Sequence, residues 1–320
     1  MINKIKINRV EEILSNEIDL FICSSSFEKR CQVIPLALSK FNVKKSYVFY
    51  NDDFSKKIKK NAKKLVKILG MNNTIRIPIS LDDSSRTYIK IYKELNETLK
   101  DESIKKIVVD ITTFTHEALL LLLKVLVLLK RKDQELEFLY NGAKDYSVNE
   151  VKPEDKWLTK GVKDSRTIIG YSGITDLTLK DHLIIVFGFE KDRTNKLIND
   201  FEYNNITLAF GKEDGSIKKS HYIINKKRHE ELVNSYENIN ELEMTLTDPD
   251  IAKKEILEYV ATIDENVVVM PMNNKLSTLG IGLAAIENKK IQLYYSLAAR
   301  YNKSGYSKPS KSLYHYKLDI

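Results

Sequence analysis

The sequence predicts an α/β protein with two tandem Rossmann-like domains, each built on a mainly parallel sheet and related by internal duplication. Strand-like apolar runs alternate with helix-like segments in the first half of the chain, and the alternation restarts near residue 181. The motif FEKR at 27–30 follows the first apolar run, and FEKDR at 189–193 follows its counterpart in the second half. The length of 320 residues suits two domains of ordinary size.

Five apolar runs predict the strands of the first half: DLFICS, KSYVFY, NTIRIPIS, KKIVVDI and ELEFLY. Pro78 in the third run predicts an edge position or a strand end, because proline lacks the N–H that a central strand donates. Helices are predicted over about 28–40 and over three further segments. These segments are SKKIKKNAKKLVKIL, SRTYIKIYKELNETLK and HEALLLLLKVLVLLKRK.

The second half repeats this organisation with the strand-like runs HLIIVFG, NITLAFG, NVVVMP and KIQLYYS, separated by helix-like segments. We therefore predict domain 1 over 1–150, an ordered crossover over 151–180 and domain 2 over 181–320. The crossover is too rich in apolar residues to be a flexible linker. The aromatic and basic segment from Leu297 onward is predicted to contain loops.

Three landmarks recur in the same order in both halves, which is the basis for predicting a duplication. FEKR corresponds to FEKDR with one inserted residue, IVVDITTFTHEAL corresponds to VVVMPMNNKLSTL, and ELEFLYNGAKDYS corresponds to IQLYYSLAARYNKSGYS. The first landmark recurs from residue 27 to 189 and the second from 107 to 267, so the offsets are 162 and 160 residues. Each copy lies at a strand end, where open parallel sheets bind ligands.

The composition limits the classes of function. Lysine and arginine number 52 against 44 acidic residues, a net charge of +8 that is compatible with polyanion binding or with a merely solvated surface. The two cysteines cannot form a disulfide framework or a four-ligand zinc site. Together with the lack of an apolar signal core or membrane span, they predict a cytoplasmic protein. No metal ion is expected, since the five histidines lack metal-site spacing. No cofactor and no membrane partner are expected either.

The exits of the two first strands are candidate phosphate sites. CSSSFEKR offers serine hydroxyls and backbone N–H groups beside a predicted helix N-terminus, and FGFEKDR offers a glycine that permits close backbone approach. Neither a Walker motif nor GxGxxG is present. The alternative is a local ion pair that caps the helix. The predicted ligand-binding residues are Ser24, Ser25, Ser26, Arg30, Gly188 and Arg193.

The exits of the fourth strands provide a second group of candidates. Here the carboxylate of Asp110 in the first half is replaced by Met270 in the second, so the two halves are not expected to do the same job. Alternatively, Thr115 only caps a helix. The predicted ligand-binding residues are Asp110, Thr112, Thr113, Thr115, Asn273, Asn274 and Lys275. Arg300 and Tyr301 near the C-terminus add a cation and a stacking face suited to nucleotides.

The DITTFTH segment at 110–116 resembles the D-x-T-G-G-T-K motif that ends strand four of CARF domains. The matching residues are Asp110, Thr112 and Thr115, while Thr113, Phe114 and His116 replace the two glycines and the lysine. CARF domains are Rossmann-like sensors of cyclic oligonucleotides in prokaryotic antiviral defence, and they act as dimers or tandem pairs. The resemblance implies a nucleotide or oligonucleotide ligand held between two pseudo-symmetric halves.

Three functional hypotheses follow. The first is a nucleotide or nucleic-acid-signal binding protein of a prokaryotic defence or stress pathway. The second is an enzyme that acts on a nucleotide-like substrate, with Glu28, Asp110 or Glu190 as the carboxylate base or nucleophile. The third is a non-catalytic interaction subunit, whose repeated motif joins the halves to each other or to a protein partner from a defence system.

Overall fold

The computed structural model describes residues 2–150, 152, 155–200, 203–214 and 219–319. Its contacts divide the chain into two compact units. Unit 1 comprises Met1–Asp145 and Ser307–Ile320, and unit 2 comprises Tyr146–Tyr306. Within the described ranges, no helix combines the length and the apolar character that crossing a membrane requires.

Unit 1 contains a seven-stranded sheet with four helices. Its strands are β1 (Ile2–Lys6), β2 (Glu17–Ser25), β3 (Asn42–Asn51), β4 (Thr74–Ile79), β5 (Lys106–Asp110), β6 (Glu135–Tyr146) and the C-terminal β13 (Ser307–Leu318). Its helices are α1 (Val33–Ala37), α2 (Lys56–Leu69), α3 (Ser84–Leu99) and α4 (His116–Leu129). The spatial strand order is β1-β13-β6-β5-β2-β3-β4.

Unit 2 contains a six-stranded sheet. Its strands are β7 (Thr159–Thr167), β8 (Asp181–Val186), β9 (Asn205–Gly211), β10 (Ile239–Met244), β11 (Asn266–Pro271) and β12 (Ile291–Tyr301). Its helices are α5 (Lys191–Asp200), α6 (Lys219–Val233), α7 (Pro249–Ala261) and α8 (Lys275–Glu287). The strand order is β10-β9-β8-β11-β12-β7.

The same parallel core is present in both units. Numbering the parallel strands of each unit from one to five along the chain, the spatial order is five-four-one-two-three in both: β6-β5-β2-β3-β4 and β12-β11-β8-β9-β10. This confirms the predicted class of two tandem Rossmann-like domains with mainly parallel sheets. The edge position predicted from Pro78 is also observed, because β4 ends the sheet of unit 1.

The predicted helices form because the local sequence caps and patterns them. In α2 the apolar residues Ile58, Ala62 and Leu65 recur at helical spacing and are buried, and the Ser55 side chain caps the N-terminus by accepting from the Lys57 N–H. The predicted helix over 28–40 is shorter than expected, since only a 3-10 turn (Lys29–Gln32) and the five residues of α1 are helical. Pro35 lacks the N–H that a longer helix through this segment would use.

Each sheet also contains a strand that the sequence did not predict, beside its fifth parallel strand. In unit 2, β7 pairs antiparallel with β12, and in unit 1, β13 lies between β6 and β1. In the chain, however, β7 follows β6 and β13 follows β12. The additional strand of each unit is therefore supplied by the segment that follows the fifth strand of the other unit, which is an intrachain strand exchange.

Because of this exchange, the two units comprise other residue ranges than the predicted domains 1–150 and 181–320. Part of the predicted crossover 151–180 is strand β7 of unit 2, and the last residues of the predicted domain 2 are strand β13 of unit 1. Residues 151, 153 and 154 of the crossover lie outside the described residues. Local periodicity does not show which strands pair with each other. The backbone groups of β7 and β13 are satisfied by strands that are far away in the sequence, so the sequence pattern did not predict this grouping.

Candidate functional site

The first-strand exit of unit 1 forms a closed Glu–Arg cluster. The Arg30 Nε donates to Glu28 Oε2 at 2.9 Å and to the Ser307 hydroxyl at 2.9 Å, while its Nη1 donates to the Asn141 carbonyl at 3.1 Å. Ser307 in turn donates to Glu28 Oε2. Arg30 and Glu28 are both buried. FEKR therefore ties the first residue of β13 and strand β6 to the end of β2.

The first-strand exit of unit 2 contains the corresponding cluster. The Arg193 Nη1 donates to the Thr159 hydroxyl at 2.8 Å and its Nη2 to the Ser296 carbonyl at 2.5 Å, and the Thr159 hydroxyl donates to Glu190 Oε1 at 3.1 Å. Thr159 is the first residue of β7, just as Ser307 is the first residue of β13. Both copies of the motif therefore fasten the exchanged strand of their own unit.

The two clusters differ in the contact between acid and base. In unit 1 the two side chains form a direct ion pair, with 2.9 Å between Arg30 Nε and Glu28 Oε2. In unit 2 the threonine hydroxyl bridges Glu190 and Arg193, and the buried Nε of Arg193 lacks a hydrogen-bond partner among the described residues. Asp192, the inserted residue of FEKDR, lies between the acid and the base in the sequence and moves the arginine one position further into α5.

The three serines of CSSSFEKR are buried. The Ser25 hydroxyl donates to the Ile58 carbonyl at 2.8 Å, and the Ser26 carbonyl accepts from the Asn61 amide at 2.7 Å. The Ser24 carbonyl accepts from the Thr113 hydroxyl at 2.7 Å. These bonds connect the end of β2 to α2 and to the exit of β5, so the polar groups satisfy one another within unit 1.

Asp110 lies at the end of β5, is buried, and accepts the Thr112 N–H at 2.9 Å. Burial raises the pKa of Asp110 to about 7, although the bonds from Thr112 and the charge of Arg30 favour the ionised form. The Thr112 hydroxyl accepts from the Asn141 N–H at 3.0 Å, which joins this exit to β6. Thr115 caps α4 by accepting the Ala118 N–H at 3.1 Å, which is the alternative role considered for it.

Unit 2 contains a cavity of about 370 Å³ beside its Glu–Arg cluster. Five parts of unit 2 line it: the segment before β7, the start of β7, the β8–α5 connection, the start of α5, and α6. The lining residues are Asp155, Lys156, Trp157, Thr159, Lys160, Phe189, Glu190, Lys191, Asp192, Ile224, Lys227, Arg228 and Glu231. The volume lies within the range of small-molecule pockets, and the carboxyl end of a strand is where doubly wound sheets bind ligands.

Glu190 is the buried carboxyl group of this cavity. Its pKa is raised by burial, while the nearby Arg193, the hydrogen bond from Thr159 and the charges of Arg228 and Lys275 act in the opposite direction. A Cβ atom added to Gly188 would lie 3.3 Å from Glu190 Oε2 and 3.3 Å from the Met272 carbonyl oxygen. The glycine therefore allows the carboxyl group and the exit of β11 to approach the backbone closely.

Basic side chains hold and surround the cavity. Arg228 donates from Nη1 to the Phe189 carbonyl and from Nη2 to the Lys156 carbonyl, both at 2.6 Å, so it connects α6 to two other walls. The ammonium group of Lys160 lies 5.0 Å from the Trp157 ring centroid. Lys160 and Lys227 form no ion pair with any described residue. The cavity therefore offers an aromatic face and cations, among lining carboxylates of which Glu231 is close enough to Lys227 for their charges to interact.

Sequence reasoning missed the residues that shape this cavity on the β7 side. Trp157 and Lys160 lie in the segment predicted as a crossover, and Lys227 and Arg228 lie on a helix that carried no motif. The available signal was the single tryptophan of the chain, three residues before a lysine and two before Thr159. Arg300 and Tyr301 of β12, which were predicted, lie opposite Lys160 and Thr159 in the antiparallel register.

The remaining predicted residues lie at the exit of β11. The Asn274 side chain caps α8 by accepting the N–H groups of Leu276 and Ser277, and Asn273 donates to the Phe187 carbonyl. Lys275 begins α8 and contributes its charge to the environment of Glu190. None of these three lines the cavity. The described part of the chain contains no group of three or more metal-binding side chains.

Comparison with known proteins gave no matching family model and no matching curated protein. Solved structures with partial similarity include phosphoethanolamine N-methyltransferase 1 of Haemonchus contortus in complex with phosphoethanolamine and S-adenosylhomocysteine (7% identity, 87% of this chain and 75% of that chain, TM-score 0.27). The UDP-GlcNAc 2-epimerase of Neisseria meningitidis bound to UDP-GlcNAc is another (11% identity, 79% and 77%, TM-score 0.26). TM-scores this low do not show a shared fold, so the fold class rests on the strand order described above.

Proposed function

We propose that the protein binds a nucleotide-like anionic ligand in the cavity of unit 2. The observation that carries this proposal is the cavity of about 370 Å³ at the exit of β8, which is lined by Trp157, by Lys160 at 5.0 Å from the Trp157 ring centroid, and by Lys227. An aromatic ring stacks on a base, and lysine ammonium groups neutralise phosphates. We extend the proposal to a cytoplasmic role in a prokaryotic defence or stress pathway, on the CARF-like motif at 110–116 and on the two free cysteines.

The roles of the residues follow from their surroundings. Trp157 supplies the stacking face, and Lys160 and Lys227 contact the phosphates. Arg228 serves mainly as a positioning residue because its guanidinium is committed to the carbonyls of Phe189 and Lys156. Arg193 stays within the cluster that holds β7, so its predicted role as a direct phosphate contact is replaced by a structural one in this proposal.

The test measures binding of a nucleotide panel by isothermal titration calorimetry. The panel contains nucleoside mono-, di- and triphosphates and cyclic oligonucleotides. For a ligand that binds, the double variant Lys160→Gln and Lys227→Gln should raise Kd by about tenfold or more, since charge-assisted bonds to phosphate are lost. Trp157→Ala should weaken binding as well.

The matched control is Lys254→Gln, which removes the same charge from an exposed lysine on α7 that does not line the cavity. Its affinity should equal that of the unchanged protein. Failure of every panel member to bind, or equal weakening in the control and the cavity variants, would contradict the proposal. A stable protein partner that co-purifies in the absence of any ligand would instead support the interaction-subunit hypothesis.

A specific observation also favours the enzyme hypothesis as a second candidate. Of Glu28, Asp110 and Glu190, only Glu190 lines the cavity, and its pKa is raised by burial. A buried carboxyl group in a cleft is suited to proton transfer. Glu190→Gln should then abolish turnover of a bound nucleotide without preventing its binding. Binding without turnover in the unchanged protein would leave the binding function and exclude the enzyme.

A further inference from the structure

Helix α2 of unit 1 presents an unusually concentrated basic surface. Its sequence, KKIKKNAKKLVKIL, contains seven lysines in 14 residues and no acidic residue. All seven are exposed: Lys56, Lys57, Lys59, Lys60, Lys63, Lys64 and Lys67. We call this set the α2 lysine face. Over the 11 steps from Lys56 to Lys67, the helix rises about 16 Å.

No described carboxylate forms an ion pair with the α2 lysine face. Other lysines of unit 1 do have such partners, for example Lys44 with Asp19 at 2.6 Å. The two acidic residues that precede α2 are already engaged. Asp52 pairs with Arg86 at 2.9 Å, and Asp53 accepts from the Leu81 N–H at 2.9 Å.

The local cost of this arrangement is appreciable. Like charges spaced by three or four residues repel along an α-helix, each pair at a cost of about 0.2–0.5 kcal/mol. Such spacings occur repeatedly in α2, as in Lys56 with Lys60, Lys59 with Lys63, Lys60 with Lys64 and Lys63 with Lys67. The first turn also contains lysines and no acid, which opposes the helix dipole. Conflicts of this kind with local stability are typical of functional surfaces.

We propose that the α2 lysine face binds the phosphate backbone of a nucleic-acid duplex. Charge complementarity identifies a polyanion, and the length of the face matches about ten phosphate charges of a duplex, which carries one charge per about 1.7 Å of its axis. The helix has no aromatic residue, so it lacks the stacking surfaces on which single-stranded bases bind.

The burial of the apolar side of α2 distinguishes a duplex from an anionic membrane. Ile58, Ala62, Leu65 and Leu69 are buried, and three of them, Ala62, Leu65 and Leu69, belong to the apolar core around β2 and β3. A surface-bound amphipathic helix inserts such residues into the lipid boundary, whereas these four side chains of α2 are already buried within unit 1. Binding would therefore be electrostatic, independent of base sequence and strongly dependent on salt.

The test measures fluorescence anisotropy of a labelled 20-base-pair duplex of mixed sequence, as DNA and as RNA, with the full chain at several salt concentrations. The test variant replaces four lysines of the face with glutamine: Lys60, Lys63, Lys64 and Lys67. Glutamine preserves helix propensity and removes charge repulsion, so the variant should fold at least as stably. Its affinity should fall at least tenfold, and each lost phosphate contact should reduce the slope of log K against log salt by about 0.9.

The matched control replaces four exposed lysines outside α2 with glutamine: Lys93, Lys100, Lys132 and Lys289. It has the same net charge as the test variant and should retain most of the affinity. Equal losses in the two variants would overturn the proposal, because net charge rather than the α2 lysine face would then explain binding. Absence of duplex binding by the unchanged chain near 50 mM salt would overturn it too.

Two further measurements separate the alternatives. Tighter binding to single-stranded oligonucleotide, or to vesicles containing phosphatidylserine, than to the duplex would contradict the duplex proposal. The cavity variant Lys160→Gln with Lys227→Gln should leave duplex affinity unchanged, and the α2 variant should leave nucleotide binding in the cavity unchanged. The duplex proposal and the proposed cavity function can therefore fail independently.

Discussion

The Glu–Arg clusters of the two units are built from the same kinds of side chain, a glutamate, an arginine and a hydroxyl group. They differ in closure: only in unit 1 do the glutamate and the arginine pair directly. In unit 1, Glu28 and Arg30 contact each other directly and are completed by Ser307 and the Asn141 carbonyl. In unit 2, Thr159 stands between the acid and the base, and Glu190 lines a cavity. The difference follows one inserted residue, Asp192. The repeated motif thus holds an exchanged strand in both units, and in unit 2 its buried carboxyl group also lines a cavity.

Truncation after Tyr306 should have the largest effect on this comparison. It removes β13, which separates β1 from β6, and with it the Ser307 hydroxyl of the unit 1 cluster. We expect strands β1 and β6 to lose amide protection in hydrogen-exchange mass spectrometry, whereas β8 and β11 stay protected. Greater loss of protection in β8 and β11, which lie closer to the cut in the sequence, would contradict the strand exchange.

Arg30→Ala should be more destabilising than Arg193→Ala. Removing Arg30 leaves the buried Glu28 without its direct partner, at a cost of about 3–5 kcal/mol in the free energy of unfolding. Removing Arg193 should cost about 1–3 kcal/mol, because Glu190 makes no direct ion pair and its pKa is already raised. Urea unfolding measures both values. Recovery of stability in the double variant Glu28→Gln with Arg30→Met would confirm that the unpaired charge causes the loss.

The pH dependence of stability should report Asp110 in unit 1, since Met270 takes its place in unit 2. The pKa of Asp110 is about 7 in the folded chain and about 3.9 when unfolded, so the folded state binds more protons between these values. The contribution of the Asp110 carboxyl group to the free energy of unfolding is therefore fully present below pH 4 and is lost as pH rises through 7. Between pH 5 and pH 8, the free energy of unfolding should decrease more for the unchanged protein than for the Asp110→Asn variant. Equal losses would show that Asp110 is not the group responsible.

The smallest expected difference is in the loss of stability when the hydroxyl group of Thr159 or of Ser307 is removed. Thr159→Val should cost about 1–3 kcal/mol, because this hydroxyl is the link between Glu190 and Arg193. Ser307→Ala should cost about 1 kcal/mol, since the direct Glu28–Arg30 pair survives it. Thermal unfolding of both variants provides the comparison, and a larger effect for Ser307→Ala would refute the proposed difference in closure.

Much of the parallel core could be predicted because local patterns determine it. Apolar runs, helix caps such as Ser55 and Thr115, and the repeated motif identify the βαβ units and their order in the chain. The candidate site was predicted only in part. The sequence located Glu190 and Gly188 at a strand exit, but the walls formed by Trp157, Lys160 and Arg228 come from segments that are distant in sequence.

The sequence alone determined the fold class and the concentration of lysines on α2, because both depend on neighbouring residues at helix or strand spacing. Only the tertiary structure decided what FEKR and FEKDR do. Their partners, Ser307 and Asn141 for Arg30 and Thr159 and Ser296 for Arg193, lie far along the chain and meet the motif through the exchanged strands. A buried guanidinium must find acceptors in the folded state, and which acceptors it finds is set by strand pairing over long sequence distances.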